Sequence, residues 1–297
     1  MRVAGLGQCS LDYLMVVDGY PLEDRKQEVV EWSVQGGGPV ATALVALSRL
    51  GLKTTFMGLL SDDEAGEKIR QGLVGEGVDI DHLVVRRGGT SQTAFITINR
   101  KGGTRTILWQ RPVVAPIEPS EVGSAFLYGA DFLLLDGLFM ESSIKAAAMA
   151  REAGIPVMVD AGRMREGMEQ LFGLSDYIVA SEECGREFGG TPEGALKKFA
   201  AFKGRGATVT LGGRGSATIV DGELFYQSAF TVDVVDTTGA GDVFHGGYIY
   251  GLLKGWALEK AVRFATAFAG LKCRGVGGRN SIPTLQETRR LLEEGAV

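Results

Sequence analysis

An alternation narrows the fold of this chain more than any single residue does. Short apolar, β-rich runs recur at VAGLG (3–7), TTFMGLL (54–60), DFLLLDG (131–137), PVMVDAG (156–162), YIVAS (177–181) and ATVTLGG (207–213). Helical patterns separate them: PVATALVALSRLG (39–51), EAGEKIRQGLVGEG (64–77) and SSIKAAAMAREAG (142–154), each closed by glycine, the common helix stop. Runs without polar alternation are strands buried on both faces, and a helix between strands is the crossover that parallel pairing requires. The pattern predicts an α/β fold: a three-layer, Rossmann-like, mostly parallel sheet with helices on both faces. LEKAVRFATAFAGLKC (258–273) adds a long helix, apolar around much of its circumference and so buried against the sheet.

Two stretches break the rhythm. LDYLMVVDGYPLEDRKQEVVEWSVQ (11–35) reads as two alternating runs around a proline-containing turn, and QTAFITINRKGGTRTILWQR (92–111) as two β-branched runs joined by RKGG. Both predict antiparallel hairpins that together make a small four-stranded sheet standing off the main body. The expected division is a body of residues 1–11, 34–90 and 113–297, with the small sheet at 12–33 and 91–112.

Composition removes several classes of function. With 36 acidic and 31 basic residues in 297 the net charge is -5, and no long basic tract is present to meet a nucleic-acid backbone or an anionic membrane. No apolar run reaches the roughly 18 residues of a spanning helix. Cys9, Cys184 and Cys273 are odd in number and far apart, which shows no metal or disulfide framework and suits a reducing cytoplasm. Gly is 44 of 297, about twice the usual share of roughly 7%. Tight turns and close approach of backbone to ligand follow from that excess.

One tract concentrates these features: DTTGAGDVFHGGYIYGLLKG (236–255). VDVVD (232–236) reads as the end of a strand, TTGAG as a tight turn, and the apolar run from Asp242 as a helix. Such a turn aims free amides at one point, at the positive end of the helix dipole, where a phosphate fits. Asp242 in the first turn stands beside that point without filling it. A base next to an anion cradle is what phosphoryl transfer to a hydroxyl needs. Gly and Asp are also ordinary in helix caps, so the tract alone leaves both roles open.

DTTGAGDVFHGGY resembles the C-terminal signature of the ribokinase-like sugar kinases, the PfkB family. GLGQCSLD (5–12) is similar to that family's first strand and substrate-binding acid, GGGPVATALVALSRLG (36–51) to its diglycine motif, GLLSDDEAGEKI (58–69) to the segment that follows, and TLGGRGS (210–216) to its nucleotide-site turn. The two hairpins match the family's β-sheet lid in order and position. The resemblance implies an ATP- and Mg²⁺-dependent sugar kinase. It makes Asp242 the catalytic base, with the Gly239, Ala240 and Gly241 amides as anion hole. Asp12, Gly37, Gly38 and Thr42 would hold the sugar, with Lys26 and Arg105 of the lid reaching its far end. Thr210, Gly212, Gly215 and Ser181, with Gly278 and Asn280 of GVGGRNS, would border the nucleotide. Asp236 and Thr238 fall where many members place a monovalent cation such as K⁺, and Glu183 is the candidate for Mg²⁺.

Some positions depart from the family pattern. Thr42 stands where an Asn often grips the sugar, and the metal-linked Asn-x-x-Glu appears as Ser181-Glu182-Glu183-Cys184. The tract from VDVVDTTGAGDVFHGG through FAGLKCRGVGGRNSIP is most similar to the branch containing the sulfofructose kinases. However, ILWQRP (107–112) and DGLFM (136–140) lack the Asn and Arg expected for a sulfonate. The expectation is therefore a neutral ribose or ketohexose, phosphorylated on a hydroxymethyl group. An acidic sugar or a nucleoside is the alternative acceptor, and a ligand-binding pseudokinase the alternative without turnover. A lid-to-lid homodimer is expected as well. GLGQCS is a partial dinucleotide fingerprint, but a hairpin follows it where a helix would be needed. His82 reads as a surface residue. His245 either packs or touches the acceptor pocket, and Trp109 either stacks on a sugar or fills the lid core.

Overall fold

The computed structural model describes residues 1–295. The chain opens with β1 (Arg2–Leu6), β2 (Ser10–Val17), β3 (Glu31–Gly37) and α1 (Pro39–Arg49). β4 (Lys53–Met57), β5 (Leu59–Ser61), α2 (Glu64–Gly75), β6 (Val78–Asp79) and β7 (Val84–Arg86) follow, then β8 (Thr93–Asn99) and β9 (Thr104–Gln110). Strands and helices next alternate: β10 (Phe132–Leu135), α3 (Met140–Glu152), β11 (Val157–Ala161), α4 (Met168–Gly173), β12 (Tyr177–Ser181), α5 (Glu182–Gly189), α6 (Pro192–Ala200) and β13 (Gly206–Thr210). β14 (Ser216–Val220), β15 (Glu223–Gln227), α7 (Ala240–Leu253), α8 (Leu258–Lys272) and α9 (Leu285–Glu294) complete it.

Nine strands form the main sheet in the order β15-β14-β13-β12-β11-β10-β1-β4-β6. Pairing is parallel from β6 to β13, and the β13–β14 and β14–β15 pairs at one edge are antiparallel. One face packs on α1, α7 and α8 through Leu44, Tyr248 and Phe268, and the other on α3, α4 and α6 through Ala146, Phe172 and Phe199. The expected three layers are present. The apolar run 54–60 breaks after Met57, and its end pairs with β7 as a separate ribbon.

The glycines of α7 are its contact surface. A Cβ on Gly246 would stand 3.0 Å from the Ala46 Cβ of α1, and one on Gly251 would stand 2.7 Å from the Ala261 Cβ of α8. Side chains there would push the neighbouring helices away, so close packing offsets the weak helix propensity of glycine.

One expectation is corrected. Residues 232–236 form no strand, and α7 starts at Ala240, before Asp242. The Val235 and Asp236 amides both donate to the Cys273 carbonyl. That segment is therefore held against the end of α8 and has no sheet neighbour.

The second sheet has the order β3-β2-β8-β9, two antiparallel hairpins joined by parallel pairing of β2 and β8. β2 opens at Ser10 and β3 closes at Gly37, so these strands overrun the boundaries expected at 12 and 33. Register sorts its side chains. Gln35, Asp12, Ala94 and Trp109 lie in one row across the sheet, on the face whose Leu14, Ile96 and Ile98 pack with Val276 of the body. Val34, Tyr13, Phe95 and Leu108 make a row on the opposite face, with Tyr13 and Phe95 stacked at 5.2 Å. Phe95 and Leu108 are exposed there.

Candidate active site

In an open parallel sheet the crevice forms where strand order reverses, beyond the carboxyl ends of the strands. Here β1 lies between β10 and β4, and the chain leaving β1 rises at once into the lid. Asp136 follows β10, Asp160 lies near the end of β11, and Ser181 and Thr210 end β12 and β13 side by side. The same edge therefore collects carboxylates and hydroxyls from separate strands.

The turn before α7 closes the crevice from above. Gly239 caps the helix at φ 75, and a Cβ there would stand 2.6 Å from the Gly278 Cα, so only glycine fits both the conformation and the space. The Ala240 amide donates to the Thr237 carbonyl at 3.2 Å. Among the described residues the Gly239 and Gly241 amides have no intramolecular partner, so these two are the donors left for an anion. Asp242 is the third residue of the helix. Burial pushes its carboxyl up to about 7; the negative charges of Asp160 and Asp12 act in the same direction, and His245 and Arg105 oppose them. His245 Nδ1 lies 2.6 Å from the Gly241 carbonyl, and Nε2 lies 3.5 Å from Asp160 Oδ1. The carbonyl only accepts, so Nδ1 carries the proton. His245 is buried, and His82 is half-buried against Phe126.

Asp12 projects from β2 and is buried, its Oδ1 accepting from Ser10 Oγ at 2.6 Å. Burial raises its pKa, while Ser10 and the Arg279 charge act against that rise. The glycine run runs alongside: a Cβ on Gly37 would stand 2.1 Å from Asp12 Oδ2. Gly38 has φ 93, and a Cβ there would meet the Gln8 carbonyl at 2.3 Å. Thr42 is buried in α1, with Oγ1 3.4 Å from Arg279 Nε. Trp109 shares the row of Asp12, and the Arg111 guanidinium lies 5.1 Å over its ring. Lys26 is exposed in the segment between β2 and β3. Arg105 is engaged elsewhere than expected: Nη1 donates to Thr237 Oγ1 at 2.5 Å, which puts it at the turn before α7.

A groove runs from this turn along the other side. Thr210, Gly212 and Gly215 border it, Thr237, Ala240 and Gly241 close its inner end, and Phe230, Val232 and Ala269 give it apolar walls. Ser181 Oγ donates to the Gly162 carbonyl and caps α5, so that hydroxyl is already engaged. Gly278 packs under Gly239, and Asn280 is exposed; neither lines the groove. Glu183 is an exposed residue paired with Arg163 at 2.5 Å. No group of three His, Cys, Asp or Glu side chains among the described residues has the arrangement of a metal site.

Asp236 is buried, with Oδ1 accepting from the Thr238 amide and hydroxyl and Oδ2 from the Gly277 amide. Nearby, the Ser281 hydroxyl is buried without a partner against Gly275. Lys272, fully buried, donates to the Asp236 carbonyl at 3.0 Å.

Sequence reading missed Asp136, Asp160, Thr237 and Arg279 as neighbours of the site. The signal for the first two was available, since DFLLLDG and PVMVDAG each end or nearly end an apolar strand in Asp, at the sheet edge where ligands bind. Arg279 gave none, because nothing in GVGGRNS announces a buried guanidinium.

A family model described as pfkB family carbohydrate kinase matches residues 2–285. The chain is 26% identical to ribokinase of Haemophilus influenzae, covering 97% of each chain. It is 27% identical to ketohexokinase of Mus musculus, over 95% of this chain and 98% of that one. A 5-dehydro-2-deoxygluconokinase of Geobacillus thermodenitrificans is likewise 27% identical, over 90% of this chain and 87% of its own length. Among solved structures, ribokinase of Thermotoga maritima superposes with a TM-score of 0.82 at 25% identity, covering 98% and 99% of the two chains.

Proposed function

The chain belongs to the pfkB family of carbohydrate kinases and is an ATP-dependent sugar kinase, and from that premise we propose that it phosphorylates a hydroxymethyl group of a neutral ribose- or ketohexose-type monosaccharide. The observation that carries the chemistry is the position of Asp242. It stands between the groove that ends at Thr237, Ala240 and Gly241 and the acceptor side marked by Asp12, with its carboxyl pushed up to about 7. A carboxyl tuned near neutrality is a competent general base for an alcohol.

ATP lies in the groove with its phosphates toward the turn. The Gly239 and Gly241 amides and the α7 dipole meet the charge that develops on the transferred phosphoryl group. Asp242 takes the proton of the attacking hydroxyl as the bond to phosphorus forms and the bond to the ADP oxygen breaks. Asp12 accepts from two adjacent sugar hydroxyls. Mg²⁺ would arrive with the nucleotide and offset its phosphate charge, as suits an ion that dehydrates reluctantly. Asp236 and Thr238, with carbonyls of 275–281, would hold K⁺, whose charge would support the neighbouring turn. The lid excludes water, which otherwise competes as acceptor.

The uncovered row Val34, Tyr13, Phe95 and Leu108 supports a homodimer in which lid meets lid, because a thin sheet cannot bury both faces alone. Three buried free cysteines are in keeping with a cytoplasmic protein. The test is an ADP-release screen over pentoses, ketohexoses, nucleosides and acidic sugars. Turnover of a neutral ketose or pentose is the expected result; ADP release with none of the panel would count against the acceptor class.

A further inference from the structure

The loop after α8 touches both halves of the site. At one end, the Gly277 amide donates to Asp236 Oδ2 at 2.8 Å, and Gly278 packs so tightly under Gly239 that a Cβ on Gly239 would stand 2.6 Å from the Gly278 Cα. That end fixes the anion-hole turn. At the other end stands Arg279, 4% exposed. Its amide donates to Gln35 Oε1 at 2.9 Å and its Nη2 to the Gly37 carbonyl at 2.9 Å, both on strand β3 of the lid. Its Nη1 occupies the place a Gly36 side chain would take, 2.1 Å from that Cβ position. Gln35 in turn covers Gly277, 1.8 Å from where its Cβ would stand. The loop is held to the body by Arg49 of α1, which donates to the Arg279 carbonyl at 2.7 Å while paired with Glu76.

We propose that Arg279 is a positioning residue that couples the lid to the phosphoryl site, so that strand β3 can settle over the acceptor only when the loop beneath Gly239 is in its working place. A planar guanidinium suits this role because one rigid group reaches a carbonyl of the lid and a hydroxyl of α1 at once. Lysine brings its donors to a single nitrogen and lacks this planar fork. Coupling of this kind is reciprocal: whatever orders the anion-hole turn also orders β3. The inference rests on the kinase reading above, since it takes the turn at 237–241 as the phosphate site.

Hydrogen exchange with the magnesium complex of a non-hydrolysable ATP analogue, AMP-PNP, tests it without any choice of sugar. In the intact protein the analogue should slow amide exchange at 236–242 and also at 31–37, the second by roughly tenfold or more. In Arg279→Met the protection at 236–242 should persist while that at 31–37 is lost. A merely structural role would lower protection across the molecule instead. Gln35→Leu breaks the same link from the lid side, leaves Arg279 in place, and should behave alike, which keeps the test usable if Arg279→Met does not fold. Protection of 31–37 that survives in a folded variant, or that is missing from the intact protein, overturns the proposal. Absence of protection at 236–242 in the intact protein would overturn the kinase reading itself, and this inference with it.

Discussion

Arg105 of strand β9 donates to the hydroxyl of Thr237 at 2.5 Å, so a lid side chain rests on the turn that opens α7. Register puts Arg105 on the body-facing side of the lid, two residues along β9 from Ile107 and in the row of Val16 and Ile98. On the proposed mechanism a cation there faces the transferred phosphate. A hydrogen bond to a charged group contributes about 1.5–3 kcal/mol, so Arg105→Met should lower kcat by roughly 10- to 100-fold. Initial rates at saturating ATP and sugar measure it. An unchanged kcat would return Arg105 to an ordinary surface contact.

Asp242→Asn removes the base and keeps the shape. Turnover should fall by about 10² to 10⁴, the usual contribution of acid–base catalysis, with ATP affinity nearly intact. The same change bears on stability. A carboxyl whose folded pKa is raised to about 7 holds its proton more tightly when folded. Its contribution is thus intact at low pH and declines as pH rises from the ordinary 3.8 toward 7. Asn escapes that loss, so the variant should melt higher than the parent at pH 8 and by a smaller margin at pH 5. A variant as active as the parent would remove the base from the mechanism.

The pH profile carries a further sign. Only ionised Asp242 accepts a proton, so kcat/KM should rise with pH to a plateau above about 7. Asp160 is among the charges that raise the Asp242 pKa. Asp160→Asn should therefore move the acidic limb to lower pH, and a limb that moves upward or stays fixed would show that another group titrates.

The layered body and both lid hairpins were legible because each rests on local pattern: apolar strands, glycine-stopped helices, alternating runs around turns. The glycine turn and the helix that follows it were legible for the same reason, as Gly239 and the start of α7 are neighbours in sequence. What was not legible came from distance. The 232–236 run alternates like a strand, yet Cys273 takes its amides. Gly278 and Asn280 belong to a segment that looks like a binding loop, yet Gly278 packs under Gly239, Asn280 faces outward, and Arg279 between them is buried against β3. Arg105 could not be aimed at Thr237 before the two sheets were set against each other. Pairings across 132 or 242 residues leave no local period to read.

The lid should join two copies. Phe95 is 46% and Leu108 68% exposed on its outer row, while its other face is committed to Val276 and the crevice. Light scattering at micromolar concentration should give a dimer, and Leu108→Asp should give a monomer with an intact melting profile. A monomeric parent protein would defeat the arrangement.

The acceptor is decided by which groups reach it. Asp12 is buried beside Gly37, and an ionised carboxylate offers only acceptor capacity. It therefore suits a vicinal diol and repels an anion placed at the same spot. An acidic sugar would need cations at its far end. Of the lid candidates, Arg105 is engaged with Thr237, Arg111 lies over Trp109, and Lys26 is exposed between β2 and β3. Arg279 remains, but it is turned to the Gly37 carbonyl and Thr42. A neutral furanose or ketohexose needs no more than Asp12 and the glycine run, which are in place. Asp12→Ala should then raise the sugar KM by roughly 100-fold, as expected for a buried charged hydrogen-bond partner worth about 1.5–3 kcal/mol, with the ATP KM little altered. If acidic sugars such as 5-dehydro-2-deoxygluconate or sulfofructose are turned over at least about tenfold more efficiently than ribose and fructose, roughly 1.4 kcal/mol of discrimination the other way, the lid cations must turn inward and the neutral acceptor is wrong.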